Sequence, residues 1–188
     1  MQKLFSELQI QKRVQELSSE ILKEEILNNN KNNKQLNLIC ILEGSLSFFK
    51  DLIKYLKENI EINNYNIKIK EFFIQAKSYE GITPTSNIKI IQDLTKKQKE
   101  AIKNKEIYIV EDIVDTGNTI LFLKNHLKQF NPKSIKIISL LNKPSKRKQQ
   151  HKNINPDYCC FEIEDLFVIG YGLDFNGKYR DLSYITEL

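Results

Sequence analysis

A chain of 188 residues is long enough to close one sizeable core, and 40% hydrophobic with 28% charged residues excludes a disordered or collagen-like polypeptide. The formal net charge of +5, from 29 basic against 24 acidic residues, is modest and comes mostly from dispersed lysines, which favours anionic substrates without marking a nucleic-acid module. No apolar stretch opens the chain and no apolar run reaches about eighteen residues, so neither secretion nor membrane spanning is expected.

Ile10, Val14, Leu17 and Ile21 recur at spacings of four, three and four, which predicts an amphipathic helix over residues 10–27. Residues 28–33, N-N-N-K-N-N, end it as a polar loop. Leu36 to Leu42 reads as the first core strand. It runs through Glu43-Gly44-Ser45 into Leu46, Phe49, Leu52, Ile53 and Leu56, a second helix. On spacing alone this is an ordinary strand-to-helix turn, although a small-residue turn before a helix N-terminus also suits an anion. Ile67, Ile69, Phe72, Phe73 and Ile74 predict a further strand. Lys77 to Asn87, K-S-Y-E-G-I-T-P-T-S-N, is then a long polar loop, either a lid or a plain hairpin excursion. Ile88 to Ile91 is the returning strand, and Thr95 to Lys105 a lysine-rich connection or short helix.

The most informative stretch is Glu106 to Thr119, E-I-Y-I-V-E-D-I-V-D-T-G-N-T. Its β-branched and aromatic run, Ile107 to Val110, predicts a buried strand that ends at the carboxylates Glu111 and Asp112. Asp115 follows in a loop with Thr116, Gly117, Asn118 and Thr119. Ile120, Leu123, Leu127 and Phe130 then mark one face of a helix. The first amides of that helix lack intrahelical partners, and its dipole favours an anion. Gly117 lets the backbone approach a phosphate, and Thr116 and Thr119 add hydroxyl donors. Glu111 and Asp112 would repel that phosphate, so they suit vicinal ribose hydroxyls, or Mg²⁺ held through water. A capped helix after an acidic strand end is the plain alternative, and five elements in this order favour the site. Neither G-x-x-x-x-G-K-[ST] nor G-x-G-x-x-G occurs, which excludes a P-loop and a dinucleotide fingerprint.

Ile135 to Leu141 is another strand, followed by the basic tract Lys143 to Lys148, a solvated cluster or a weak nucleic-acid patch. Lys143 stands apart because it lies where the strand finishes, at the functional edge of an α/β sheet. An ammonium can only donate, so against a purine it accepts a 6-oxo group and disfavours a 6-amino group. Cys40 and the adjacent Cys159 and Cys160 form no C-x-x-C pair, and buried thiols in a reducing, cytoplasmic setting are expected.

Residues 107–119 resemble the phosphoribosyl pyrophosphate loop of the type I phosphoribosyltransferases, an apolar strand followed by E-D-x-x-D-[ST]-G-x-T, at each defining position. The block P-D-Y-C-C-F-E-I-E-D-L-F-V-I-G-Y-G-L-D-F-N-G-K-Y-R-D-L resembles the C-terminal signature of the hypoxanthine-guanine branch, with Cys160 in place of the usual glycine. Ile10, Arg13-Val14 and Leu17 match the opening segment, so the resemblance covers almost the entire chain.

The resemblance implies an α/β fold with a doubly wound, mostly parallel sheet, flanking helices and a small hood. It is expected as one domain, with a core at about 34–150 and a hood from 1–12 and 151–188. The implied reaction is Mg²⁺-dependent transfer from phosphoribosyl pyrophosphate to hypoxanthine or guanine, giving inosine or guanosine monophosphate and pyrophosphate. Asp115 is the implied general base. Glu43, Gly44, Glu111, Asp112, Thr116, Gly117, Asn118, Thr119 and Arg180 hold the phosphoribosyl and pyrophosphate groups, with Glu43 standing where lysine is frequent. Lys143, Phe167, Val168 and Asp174 meet the purine, and Glu111, Asp112 and Asp174 serve the metal. Ser78 and Tyr79 begin a closing lid. A homodimer or homotetramer is implied, with no nucleic-acid or membrane partner. Two alternatives stay open: a relative preferring xanthine, and a regulator that keeps the loop as a sensor and binds nucleic acid.

Overall fold

The computed structural model describes residues 3–27, 34–79, 87–147 and 151–188. The helical stripe read from the sequence forms α1 (Glu7–Leu27), in which Ile10, Val14, Leu17 and Ile21 are fully buried. A capping box starts it: Gln9 N–H donates to Ser6 Oγ at 3.4 Å and Ser6 N–H to Gln9 Oε1 at 2.9 Å. The central sheet is built from β2 (Lys34–Leu42), β3 (Ile67–Tyr79), β4 (Asn87–Gln92), β5 (Glu106–Val114), β6 (Ser134–Asn142) and β7 (Tyr158–Glu162). Its order is β4-β3-β2-β5-β6-β7, parallel throughout except for the antiparallel pair of β3 and β4.

Strand alternation feeds two cores. Leu36, Leu38, Tyr108 and Val110 face α1 and α2 (Leu46–Ile62), where they pack with Leu17, Phe48, Phe49 and Leu52. Ile39, Ile41, Ile107 and Ile109 face α3 (Lys96–Ile102) and α4 (Asn118–Lys128), packing with Ile102, Ile120, Leu123 and Leu127. Helices on both faces of a mostly parallel sheet make the doubly wound α/β architecture that was expected. A separate antiparallel sheet, the hood, joins β1 (Lys3–Phe5), β9 (Ile185–Glu187) and β8 (Val168–Ile169), in the order β1-β9-β8. No described helix is long and apolar enough to cross a membrane.

Three boundaries differ from those expected. β7, assigned with residues 151–188 to the hood, pairs parallel with β6 and closes the edge of the central sheet. Arg13 on α1 covers it, donating to the carbonyls of Cys160 at 3.1 Å and Cys159 at 2.9 Å. β3 runs on through Lys77 to Tyr79 because its antiparallel partner β4 supplies a ladder as far as Tyr79↔Asn87, so the polar loop starts later. Residues 80–86 of that loop, the 28–33 linker and the side chains of Ser78 and Tyr79 lie outside the described part. The Thr95–Lys105 stretch, expected as a connection or short helix, is the short helix α3, with a complete Thr95–Gln98 capping box. β5 continues past Glu111 and Asp112 to Val114, paired by β6 along its length, whereas its pairing with β2 stops at Val110.

Leu17→Ala removes a fully buried side chain, and Leu8→Ala one that is 78% exposed. Urea unfolding of Leu17→Ala is expected to show a loss of about 2–5 kcal/mol, and that of Leu8→Ala a change within about 0.5 kcal/mol.

Candidate active site

Because β2 stops pairing before β5 does, the end of β5 stands open on one side, and the turn after β2 fills that side. Asp112 shares the Tyr108–Val110 face of β5 and lies against Gly44. A Cβ at Gly44 would collide with Asp112 Oδ2, and one at Gly172 with the Gly44 carbonyl. The Leu42–Glu43 peptide that leads into this turn is cis. Glu111 is buried, and its Oε2 has no hydrogen-bond partner. Burial first, then the charge of Asp112, raises the Glu111 carboxyl well above the usual range. Burial likewise pushes Asp112 up to about 6, against the hydrogen bond it accepts from Ile113 N–H at 2.7 Å. Two adjacent carboxylates, of which Asp112 feels the charge of Arg180, fit a divalent ion or ribose hydroxyls.

Asp115, Thr116 and Gly117 form the next turn. Gly117 takes φ +83°, the left-handed region, and stands as N-cap of α4 with no side chain to cap it, while Thr116 Oγ1 accepts from the first helical amide, Asn118 N–H, at 3.4 Å. Ser45, before α2, does not cap either: its Oγ turns back to the Ile41 carbonyl. Asp115 Oδ1 is buried with no hydrogen-bond partner. Behind the turn, Arg147 donates to the carbonyls of Val114 (2.7 Å), Asp115 and Ile154 (2.7 Å) and to Asn142 Oδ1. His151 Nδ1 faces the Thr116 carbonyl at 3.0 Å.

Lys143 is buried at the end of β6, where its N–H donates to the Val114 carbonyl at 3.0 Å. Phe167 is 54% exposed, its ring edge-on to Phe175 with centroids 5.6 Å apart. Leu188 N–H donates to the Phe167 carbonyl at 3.0 Å, which makes Val168↔Glu187 the non-hydrogen-bonded pair of the β8–β9 ladder. The backbone groups of Val168 therefore point out from the free edge of the hood sheet. Arg180 forks between Glu43 Oε2 at 2.7 Å and Asp174 Oδ1 at 2.8 Å, and its Nε is buried without a partner. Asp174 Oδ2 accepts from Gly177 N–H at 2.7 Å. Glu111, Asp112 and Asp174 thus form no ready cage, and among the described residues no three His, Cys, Asp or Glu side chains gather to hold a metal.

Residues 4–176 match the family model described as the phosphoribosyl transferase domain. The hypoxanthine phosphoribosyltransferase of Buchnera aphidicola is 40% identical over 186 residues, 98% of this chain and 94% of that one. The chain belongs to the phosphoribosyltransferase family. The human hypoxanthine-guanine phosphoribosyltransferase is 39% identical over 152 residues, which span 80% of this chain but 66% of the human one. A crystal structure of a Bacillus anthracis hypoxanthine-guanine phosphoribosyltransferase superposes with a TM-score of 0.83 at 33% identity, covering 100% of this chain and 98% of that one.

In this phosphoribosyltransferase the expected residues do meet along one edge: the Glu43–Gly44 turn, Glu111, Asp112, the 115–119 turn, Lys143 and the Asp174–Arg180 pair. Phe167 and Val168 stand on the hood. The sequence reading missed Arg147 and His151. Arg147 was read as part of a solvated basic tract, whereas it is half-buried and donates to the carbonyls of Val114, Asp115, Lys143 and Ile154 and to Asn142 Oδ1. Its one sequence signal is its place four residues after Lys143.

The raised carboxyl of Asp112 has a consequence for stability. The folded chain holds that proton more tightly than an unfolded one, where aspartate titrates near about 3.9. Stability from this group is therefore full below about pH 4 and is lost as the pH rises towards 6. Asp112→Asn is expected to stabilise the ligand-free protein at about pH 7.5 by on the order of 1–2 kcal/mol, with the gain fading near about pH 4. Urea melts across that range check it, and a pH-independent difference would contradict the burial argument.

Proposed function

We propose that this phosphoribosyltransferase transfers the phosphoribosyl group of phosphoribosyl pyrophosphate to hypoxanthine or guanine, releasing pyrophosphate and the nucleoside 5′-monophosphate. The observation that carries the reading is Asp115, whose Oδ1 is buried and unpartnered in a turn between the N-terminus of α4 and Lys143. An acceptor kept free in that place suits a proton leaving the purine. The names of the Buchnera, human and Bacillus relatives support the substrate class.

Each group then has a task. The 115–119 turn and the N-terminus of α4 hold the 5′-phosphate. Glu111 and Asp112 take the ribose hydroxyls and would hold Mg²⁺ through water, with Asp174 serving a second ion. Bound there, the metal neutralises pyrophosphate and makes it a better leaving group. Carboxylates near the anomeric carbon favour the positive charge that develops as its bond to pyrophosphate breaks. The purine N9 attacks that carbon, and Asp115 accepts the proton from N7. Lys143 donates to the 6-oxo group, Phe167 stacks on the ring and the Val168 backbone meets its far edge. Arg180 grips pyrophosphate with a planar, permanently charged fork. Ser78 and Tyr79 open the lid that keeps water from the sugar cation.

The setting we infer is the reducing cytoplasm, in line with three free cysteines. The assembly we infer is a homodimer or homotetramer, as in the resemblance drawn from the sequence.

With phosphoribosyl pyrophosphate and Mg²⁺, a spectrophotometric assay is expected to show turnover of hypoxanthine or guanine and none of adenine, with xanthine tested alongside. Asp115→Asn should lower kcat about 10²–10⁴-fold. Binding of phosphoribosyl pyrophosphate without turnover of any purine would overturn the enzymatic reading. Separately, Glu43 occupies Arg180 and adds a negative charge to the pyrophosphate site. Glu43→Gln is expected to tighten Mg-pyrophosphate binding by about threefold to tenfold, read by calorimetry.

A further inference from the structure

The wall behind the 115–117 turn is unusual in what it touches. Three successive carbonyls, those of Val114, Asp115 and Thr116, all find their partners in residues 143–151. Val114 O accepts from Lys143 N–H at 3.0 Å and from Arg147 Nη1 at 2.7 Å, Asp115 O from the same Nη1, and Thr116 O lies 3.0 Å from His151 Nδ1. A carbonyl accepts only, so Nδ1 of His151 carries the proton. The wall also packs tightly: a Cβ placed on Gly117 would lie 3.3 Å from His151 Cβ and 3.5 Å from both Arg147 Cδ and Ile154 Cδ1.

A trans peptide is planar, with its C=O and the following N–H on opposite sides. Three carbonyls drawn to one wall therefore turn the amides of Asp115, Thr116 and Gly117 to the other. Successive amides turned to one side form an anion-binding concavity, which here runs into the N-terminus of α4, where the N-cap is Gly117. We infer that Arg147 and His151 are positioning residues: they hold the phosphate-binding turn with its amides facing the 5′-phosphate, without touching the substrate themselves. This rests on the proposed assignment of the 115–119 turn to the 5′-phosphate.

Arg147 is the stronger of the two because one planar fork reaches the carbonyls of Val114, Asp115 and Ile154 together. Burial lowers the pKa of its guanidinium while the nearby charge of Asp115 opposes that fall, and the side chain stays a cation. Besides holding the Asp115 carbonyl, it stands beside the carboxylate proposed as the base. Loss of the fork should loosen both the amide nest and the position of Asp115.

The test separates a ligand that uses the turn from one that does not. Calorimetry of the whole protein measures dissociation constants for guanosine 5′-monophosphate and for Mg-pyrophosphate, in the wild type and in Arg147→Met, Arg147→Lys, His151→Ala and His151→Asn. Arg147→Met is expected to weaken the monophosphate by about tenfold to a hundredfold and pyrophosphate by less than about threefold. Arg147→Lys, a point charge without the fork, should fall between. His151→Ala should cost about threefold to tenfold, and His151→Asn, which keeps a donor near the Nδ1 position, should recover most of it. Equal weakening of both ligands would mean a general loss of structure and would overturn the inference, as would no weakening in either alanine or methionine variant. If Arg147→Met does not fold, the His151 pair decides. Wild-type protein that binds pyrophosphate but no purine monophosphate would sink the proposed function and this inference with it.

Discussion

The contact between Gly44 and Asp112 sets the distance at which three parts of the chain meet. A side chain at Gly44 would occupy the place of the Asp112 carboxylate, and one at Gly172 would occupy that of the Gly44 carbonyl. The turn after β2 therefore meets the Asp112 carboxylate at the end of β5 on one side and the backbone at Gly172 on the other. That closeness crowds the Asp112 carboxylate, while its neighbour Glu111 is buried with Oε2 lacking a partner. Such an arrangement is unfavourable in the empty protein, and its persistence implies that the surrounding packing over-determines it.

The helices show the same division between support and function. Those that start away from the site, α1 and α3, each carry a capping box. Those that follow β2 and β5 into the site, α2 and α4, have none: the Ser45 hydroxyl is spent on the Ile41 carbonyl, and Thr116 Oγ1 reaches Asn118 N–H at 3.4 Å. A missing cap costs typically about 1 kcal/mol, and the stabilisation lies elsewhere, in two cores that grip the sheet from both faces. Local order at the site is thereby left for a ligand to complete.

Much of this was legible in the sequence, for identifiable reasons. The 3.6-residue stripe of α1 and the β-branched run of β5 are local patterns, and the fold renders them directly. The turn at 115–119 was legible because acid, glycine and hydroxyl residues in fixed order have few other uses. The pairing of β7 was not, since Tyr158–Glu162 would read alike against β6 or in the hood, and only tertiary packing under Arg13 chooses. Nor could the length of β5 be read, because it depends on one neighbour pairing further than the other. Arg147 sits among lysines, and a charge run has no internal mark of which member is turned inward. Glu43 was legible as a departure, but its bond to Arg180, 137 residues away, was not.

One segment reaches both ends of the proposed product. In the proposed assignment Lys143 meets the base, and Arg147 and His151 stand behind the turn that takes the phosphate, all on the short stretch that follows β6. The backbone between them is pinned at each end, by Lys143 N–H on Val114 and by Arg147 on the neighbouring carbonyls. That stretch acts as a ruler. Under that proposed assignment it gauges the span from purine to phosphate in a single piece of chain, so a free base or a bare sugar phosphate engages one end of the scale and a whole nucleotide engages both.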